Sequence, residues 1–197
     1  MSPLVSRRSA LLLGTATVLV ACQGQPLPPP IPELSFNHMP VIRLAVGSIE
    51  YREEYEPPLK PPNVEHLFPT SPQSAARRWA EDRLRAAGGP GRAVFVIRRA
   101  PVVEAKLARS TGVRSLFTVD QAERYDAELD VALEIRDERG FQEAFATAQA
   151  ERNRTVPENA TLYQRERAFF EMTEGLMKDI SAQLDANIQR YLAKYLR

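Results

Sequence analysis

The sequence predicts an α+β fold: a mainly antiparallel sheet of about four strands, in the order β-α-β-β-β-α, with two helices packed on one face. Three patterns predict it. Apolar and polar residues alternate over 125–136, alanines follow in the same alternation, and a long helical pattern closes the chain. The 197 residues, 44% of them hydrophobic and 26% charged, suit a single globular domain.

The first half of this domain is predicted to contain a strand, a helix and a second strand. Residues 41–49 alternate in hydrophobicity, as a half-buried strand does. Ser71 precedes Pro72, which is the arrangement that caps a helix, and the glycine pair at 88–89 is expected to end that helix. The apolar run over 93–99 predicts the next strand.

The alternating segment is expected to form a hairpin with the alanines that follow it. Its apolar phase consists of Tyr125, Ala127, Leu129, Val131, Leu133 and Ile135. A four-residue turn at 137–140 would pair Arg136 with Phe141 and place Leu133 opposite Ala144. A helix over 141–156 also fits the pattern. We predict the hairpin because every apolar residue then faces an alanine, which leaves room for a helix.

The last element is predicted to be a helix from residue 162 to residue 196. Thr161 and Gln164 form a capping box, and apolar residues then recur at spacings of three and four. Such a helix is about 50 Å long at 1.5 Å per residue. Four strands span only roughly 20 Å. We therefore expect the helix to overhang the sheet or to bend near Gly175.

The N-terminus has the features of an export signal. Arg7 and Arg8 precede an apolar run over 10–21, which is shorter than the roughly 20 residues of a bilayer-spanning helix. The run ends in Leu19, Val20, Ala21 and Cys22. This tetrad resembles the lipobox of bacterial lipoprotein precursors, in which the cysteine is acylated by palmitate-type chains and the preceding segment is removed.

The lipobox resemblance implies three segments and an envelope location. They are an export signal over 1–21, a lipidated Cys22 with a proline-rich tether over 22–40, and a single α+β domain over 41–197. The mature protein would be anchored to a membrane facing the periplasm. Gln23 stands where enterobacterial lipoproteins retained in the inner membrane have Asp, which favours the outer membrane. General secretion and the twin-arginine route both stay open, as does the oligomeric state.

Composition and motifs argue against catalysis and nucleic-acid binding. Removing residues 1–21 takes away two arginines and no acid, which leaves 24 basic against 25 acidic side chains and no basic excess to bind phosphates. One cysteine and two histidines offer no recognisable metal, cofactor or nucleophilic motif. We therefore expect no catalytic residue, no metal, no cofactor and no nucleic-acid partner.

Two segments are candidates for binding a partner. The first is the proline-rich strap over 51–69, where Tyr51, Tyr55, His66 and Phe68 are interleaved with prolines. Its alternative role is to pack over the domain's own sheet. The second is the end of the C-terminal helix, where Tyr191 and Tyr195 are the candidates and core packing is the alternative.

The order of elements behind a lipobox and a proline tether resembles envelope lipoproteins that assist transport machines. These are the ABC-transport auxiliary lipoproteins and the lipoprotein of the lipopolysaccharide translocon. The resemblance implies a non-catalytic accessory protein that binds the membrane through its anchor and an envelope protein or a lipid through its folded part. The alternatives are a structural scaffold and a cell-envelope hydrolase that uses acidic residues of the strap, with two or more of Glu53, Glu54, Glu65 and His66 in one pocket.

Overall fold

The computed structural model describes residues 29–107, 121–157 and 159–197, and it shows an α+β fold. The strands are β1 (Ile42–Leu44), β2 (Ser48–Glu53), β3 (Leu84–Ala86), β4 (Arg92–Arg99), β5 (Val102–Lys106), β6 (Gln121–Arg136) and β7 (Gln142–Pro157). The helices are α1 (Pro72–Arg83) and α2 (Leu162–Tyr191). The predicted class and the long C-terminal helix are therefore confirmed.

The main sheet is four strands wide. β7 pairs with β6 along its whole length, whereas β4 pairs with residues 130–136 of β6 and β5 with residues 123–127. Since a strand has only two edges, β4 and β5 share the edge that β7 leaves free. β2 lies outside β4 and runs parallel to it, with α1 in the crossover between them. All the other pairs of this sheet are antiparallel.

The predicted first strand is divided into two strands, and the predicted first helix is shorter than expected. β1 and β2 replace the single strand expected over 41–49. The helix capped by Ser71 ends at Arg83 and not at the glycine pair, because Leu84 adopts an extended backbone and begins β3, which pairs with β1. Gly89 instead serves a close backbone approach: a Cβ there would lie 2.5 Å from the carbonyl oxygen of Ala45.

The hairpin exists, but its predicted register is wrong by two residues. Leu133 faces Ala146 and not Ala144. One residue of the shift comes from the turn, because Asp137 pairs with Phe141 around a three-residue loop whose Gly140 has a φ of 90°. The second residue comes from a bulge that leaves Glu143 between the two pairing registers. A shift of one residue would turn the alanines to the opposite face of the sheet, whereas the two shifts together keep them on the buried face.

The C-terminal helix lies along β7, so the expected overhang does not occur. Side chains on three successive turns of α2 form hydrogen bonds with β7. Asp179 binds Arg152, Gln183 binds the backbone of Gln149, and Asn187 binds the carbonyl of Thr147. Thirty helical residues span about 45 Å and sixteen strand residues about 50 Å, so the two elements match in length. The amides of Gln183 and Asn187 also cover part of the free edge of β7.

Small side chains let this helix approach the sheet. Ala146, Ala148 and Ala150 are buried on the helix side of β7. They form the alanine stripe. On α2 the facing core includes Leu176, Ile180 and Leu184, which are fully buried. The same face of the sheet carries Trp79 of α1, whose indole N–H donates to Ser181 of α2 at 2.9 Å and so links the two helices.

The predicted tether is too long at its C-terminal end, because residues 31–40 pack onto the two helices. Leu34 and Phe36 are 6% and 7% exposed and belong to the core. Three side chains of α1 hold the backbone of this segment: Asp82 accepts from the amide of Phe36, and Arg78 and Arg83 donate to the carbonyls of Leu34 and Pro40. The folded body therefore begins near Ile31 and not at residue 41.

Enlarging the alanine stripe should destabilise the protein. We expect Ala148→Leu to lower the free energy of unfolding by about 1–3 kcal/mol, because the added methyl groups would push α2 away from β7. Ala105→Leu, at an exposed position of β5, is the matched control and should change it by less than about 0.5 kcal/mol. Urea denaturation of both variants measures the difference. Equal effects at the two sites would contradict the packing described here.

Candidate functional site

The residues of the export signal and the lipidation site cannot be placed in this fold. Arg7, Arg8, Leu19, Val20, Ala21 and Cys22 all lie outside the described residues. The structure does place all six candidate partner-binding residues of the folded part, and it separates them into two groups. Three of the four strap residues pack against the folded body and His66 is exposed, whereas the C-terminal group lies at the far end of α2.

Tyr55 of the strap has a structural role. Its hydroxyl donates to Glu65 at 2.8 Å, and the other oxygen of Glu65 accepts from the backbone amide of Val102 at 3.2 Å. Glu65 is 2% exposed, so these bonds satisfy a buried carboxylate. Burial and the hydrogen bond to Glu65 both raise the pKa of Tyr55. The phenol is thus a neutral donor inside the protein.

The other three strap residues occupy different surroundings. Phe68 is buried and stacks on Phe169 of α2 with ring centroids 4.1 Å apart. Tyr51 is half-buried beneath the guanidinium of Arg77, which lies 4.5 Å from its ring centre. His66 is exposed on a short 3₁₀ turn. Phe68 is therefore not available to a partner, and the prediction that it binds one is wrong.

The strap packs on the sheet through its backbone as well. The amide of Val64 donates to the carbonyl of Val102, and the amide of Glu104 donates to the carbonyl of Pro62, both within 2.9 Å. These bonds add one antiparallel bridge, between Asn63 and Val103, beside β5. The strap therefore takes the alternative role, which is to cover the edge of its own sheet.

The acids proposed for a hydrolase are held in separate contacts. Glu53 accepts from Gln73 of α1 at 2.8 Å, Glu65 is buried under Tyr55, and Glu54 is exposed. The carboxylates of Glu53 and Glu65 are both engaged in these contacts, so neither is free to act together with His66. Within the described ranges, no three His, Cys, Asp or Glu side chains are grouped as metal ligands. This arrangement removes the geometric support for the hydrolase alternative.

The C-terminal group retains exposed aromatic surface. Tyr191 is 54% exposed at the last residue of α2. Tyr195 is half-buried, and its hydroxyl donates to Glu143 of the hairpin at 2.9 Å. Leu192 between them is fully buried, and Leu196 bridges to Leu44, so these two leucines belong to the body of the protein.

Two further aromatic residues at this end were not identified from the sequence. Phe141 and Phe145 are 68% and 50% exposed at the start of β7. Phe145 pairs with Glu134 and so faces away from both helices. A signal for it was present: once residues 141–156 are read as a strand, Phe145 is an aromatic residue in the polar phase of the alternation. We call Phe141, Phe145, Tyr191 and Tyr195 the aromatic end.

The surroundings of the aromatic end suit a protein partner. Glu134, beside Phe145, is paired with Arg136 at 2.6 Å and with Arg98 at 3.8 Å, which neutralises this part of the open sheet face. Exposed aromatic side chains next to arginines are enriched at the centres of protein interfaces. They supply large contact areas with few rotatable bonds. The aromatic end therefore has the residue types that are enriched at protein interfaces.

A second feature, a groove beside α2, suits a lipid chain poorly. It has a volume of about 820 Å³ and lies between residues 32–39 and α2. Phe36, Met39 and Met177 give it an apolar floor. Charged residues share its lining, namely Glu33, Glu171, Glu174, Lys178 and Asp185. Burying an acyl chain there would bring several of these charges out of water, which is costly.

No known protein-family model matches the sequence, and no curated protein matches it. Solved structures with some similarity include a Xanthomonas campestris protein of the DUF330 family, at 12% identity and a TM-score of 0.34, covering 81% of this chain and 93% of that one. Two others are rare lipoprotein B of Shewanella oneidensis (6%, TM-score 0.32, 73% and 99% covered) and a minor lipoprotein of Acinetobacter baumannii (14%, TM-score 0.31, 73% and 94% covered). Likenesses at these TM-scores carry no argument about function.

Replacing the strap tyrosines tests their assignment to structure. We expect Tyr55→Phe to lower the free energy of unfolding by about 1–3 kcal/mol, because Glu65 would lose one of its two partners in a buried site. Tyr51→Phe is the matched control, since the ring and its contact with Arg77 are kept, and should change it by less than about 0.5 kcal/mol. Thermal or urea unfolding gives both values. A neutral Tyr55→Phe would show that the hydroxyl has no structural role.

Proposed function

We propose that this chain is a non-catalytic bacterial lipoprotein, anchored through Cys22 to a membrane of the cell envelope, and that it assists an envelope transport complex. The observation that carries the proposal is the position of the aromatic end, at the opposite end of α2 from the point where the lipidated N-terminus would enter the fold. Gln23 favours the outer membrane. Phe141, Phe145 and Tyr191 would then bind a protein component of the complex.

The entry point of the chain supports this arrangement. Residues 29–31 lie beside Tyr163, in the first turn of α2, and the segment then runs along the helices until Pro40 meets Arg83. Six residues lie between Cys22 and Pro29, and the seven Cα–Cα steps that join the two span at most about 25 Å when fully extended. A lipid on Cys22 would therefore keep the start of α2 close to the bilayer.

Membrane attachment of the described body would depend on that lipid. Among the residues that the structure describes, no helix is long and apolar enough to span a membrane. Two or three acyl chains are enough for stable anchoring, whereas one gives only reversible attachment. The export signal and lipobox over residues 1–22 would supply them.

The aromatic end favours an accessory role over a purely structural scaffold. A protein that serves only as a spacer between two structures needs no exposed apolar surface. Phe141 and Phe145 are large apolar side chains that remain at least half exposed, and Tyr191 lies at the same end. Leaving such residues in water has no benefit for the isolated protein, but it provides anchors for a partner.

The lipid anchor is tested by metabolic labelling with palmitate. We expect the wild-type chain to incorporate label and to sediment with membranes. The Cys22→Ala variant should do neither, because it lacks the only thiol of the chain, which is the proposed lipid acceptor. Gln23→Ala is the matched control and should label normally. Equal labelling of the Cys22→Ala variant, or recovery of an unprocessed wild-type chain in the cytosol, would contradict the anchor.

Protein docking is tested by site-specific photo-cross-linking in living cells. A photoreactive amino acid at Phe141 or Phe145 should give a discrete adduct whose partner, identified by mass spectrometry, is an envelope transport protein. Asn153 is the matched control, because it is exposed on the same face of β7 as Phe145 but far from the hairpin turn. Adducts of equal yield at Asn153, or none at the aromatic end, would refute docking there.

A further inference from the structure

We infer that the opposite end of the molecule is a membrane-docking cap, made of Pro29, Pro30, Ile31, Leu67, Pro69 and Leu162, which rests on the lipid surface. This inference depends on the proposed lipidation of Cys22. It adds a second contact with the bilayer, made by the folded protein itself, and it fixes how the protein stands on the membrane.

The first observation is an exposed apolar cluster. Leu67 is 58% exposed on the 3₁₀ turn of the strap, and Leu162 is 71% exposed at the first residue of α2. Residues 29–31, Leu67 and Pro69 surround a shallow depression together with Tyr163 and Glu166. Leu162 lies one helical turn before Glu166, on the same face of α2 as that residue.

The second observation is the place where the described chain begins. Pro29 is itself part of the cluster, and only six residues lie between it and Cys22. When the acyl chains of Cys22 lie in the bilayer, the cap cannot move more than about 25 Å from the lipid surface. Pro29, Pro30 and Ile31 are the described residues nearest to Cys22 along the sequence.

The anchor makes a small apolar cap sufficient. Two leucines and several prolines would not hold a free protein on a membrane. A contact between parts that are already linked is intramolecular, and its effective concentration reaches the millimolar range for a short linker. Apolar side chains of this kind enter the boundary between headgroups and acyl chains to a depth of about 5–10 Å. Tyr163 is a residue type that favours this interface.

The local structure is rigid enough to present the cap as a unit. Phe68, next to Leu67, is buried against Phe169, and the capping box fixes the first turn of α2: Thr161 accepts from Gln164 at 3.2 Å, and its amide donates back at 2.8 Å. Leu67 and Leu162 are therefore held in place although their side chains are in water. Their exposure is a property of the fold and does not come from frayed ends of the chain.

The experiment uses the full-length lipidated protein in vesicles of phosphatidylethanolamine and phosphatidylglycerol. The mature chain has no thiol other than that of Cys22, which lipidation blocks, so an introduced cysteine takes an environment-sensitive fluorophore specifically. The labelled variants are Leu67→Cys, Leu162→Cys and, as the matched control, Phe141→Cys, which is equally exposed at the other end. Lipids carrying a nitroxide quencher near the headgroup report contact with the membrane.

We expect fluorophores at positions 67 and 162 to be quenched at least about twofold more than the fluorophore at 141, because only the cap enters the interface. In the variant labelled at position 162, a second substitution Leu67→Glu should reduce the quenching, because it places a charge in the cap. The second substitution Phe141→Glu should leave the quenching at position 162 unchanged. Equal quenching at all three positions, in protein that floats with the vesicles, would overturn the cap but leave the anchor intact. Protein that fails to float would overturn both the anchor and the docking that depends on it.

Discussion

The close packing of α2 along the alanine stripe of β7 determines the shape of this protein. A helix of 30 residues and a strand of 16 residues have nearly the same length, and both run the long way through the molecule. Their contact at Ala146, Ala148 and Ala150 separates two ends by about 45 Å. The first described residues, 29–31, lie at one of these ends, and the exposed aromatic residues lie at the other.

The segment over 31–40 is part of the folded body. Proline-rich sequence usually indicates an extended linker, yet Leu34 and Phe36 are buried and α1 holds their backbone by hydrogen bonds to Asp82 and Arg78. The proposed lipid on Cys22 would be separated from the described chain by residues 23–28 alone. Such an anchor would restrict the domain to a narrow range of heights above the membrane.

Local patterns predicted the elements of this fold better than their ends and register. The helix caps at Ser71 and Thr161 and the alternation over β6 predict the class, the two helices and the hairpin, because these signals depend on neighbouring residues. The register required a three-residue loop and a bulge at Glu143, and the end of α1 required pairing between β3 and β1. Such features are set by contacts between distant residues. For the same reason, the local sequence around Phe68, an aromatic residue among prolines, does not reveal that its ring is buried against Phe169.

The height of the hairpin above the bilayer tests the account most directly. Energy transfer between a donor on Gln142→Cys and acceptor lipids, measured with the lipidated protein in vesicles, gives this distance. An upright molecule that rests on its cap predicts a hairpin about 40 Å or more from the headgroups. A distance below about 20 Å would mean that α2 lies flat on the membrane, which would contradict the separation of an anchored end from a partner-binding end.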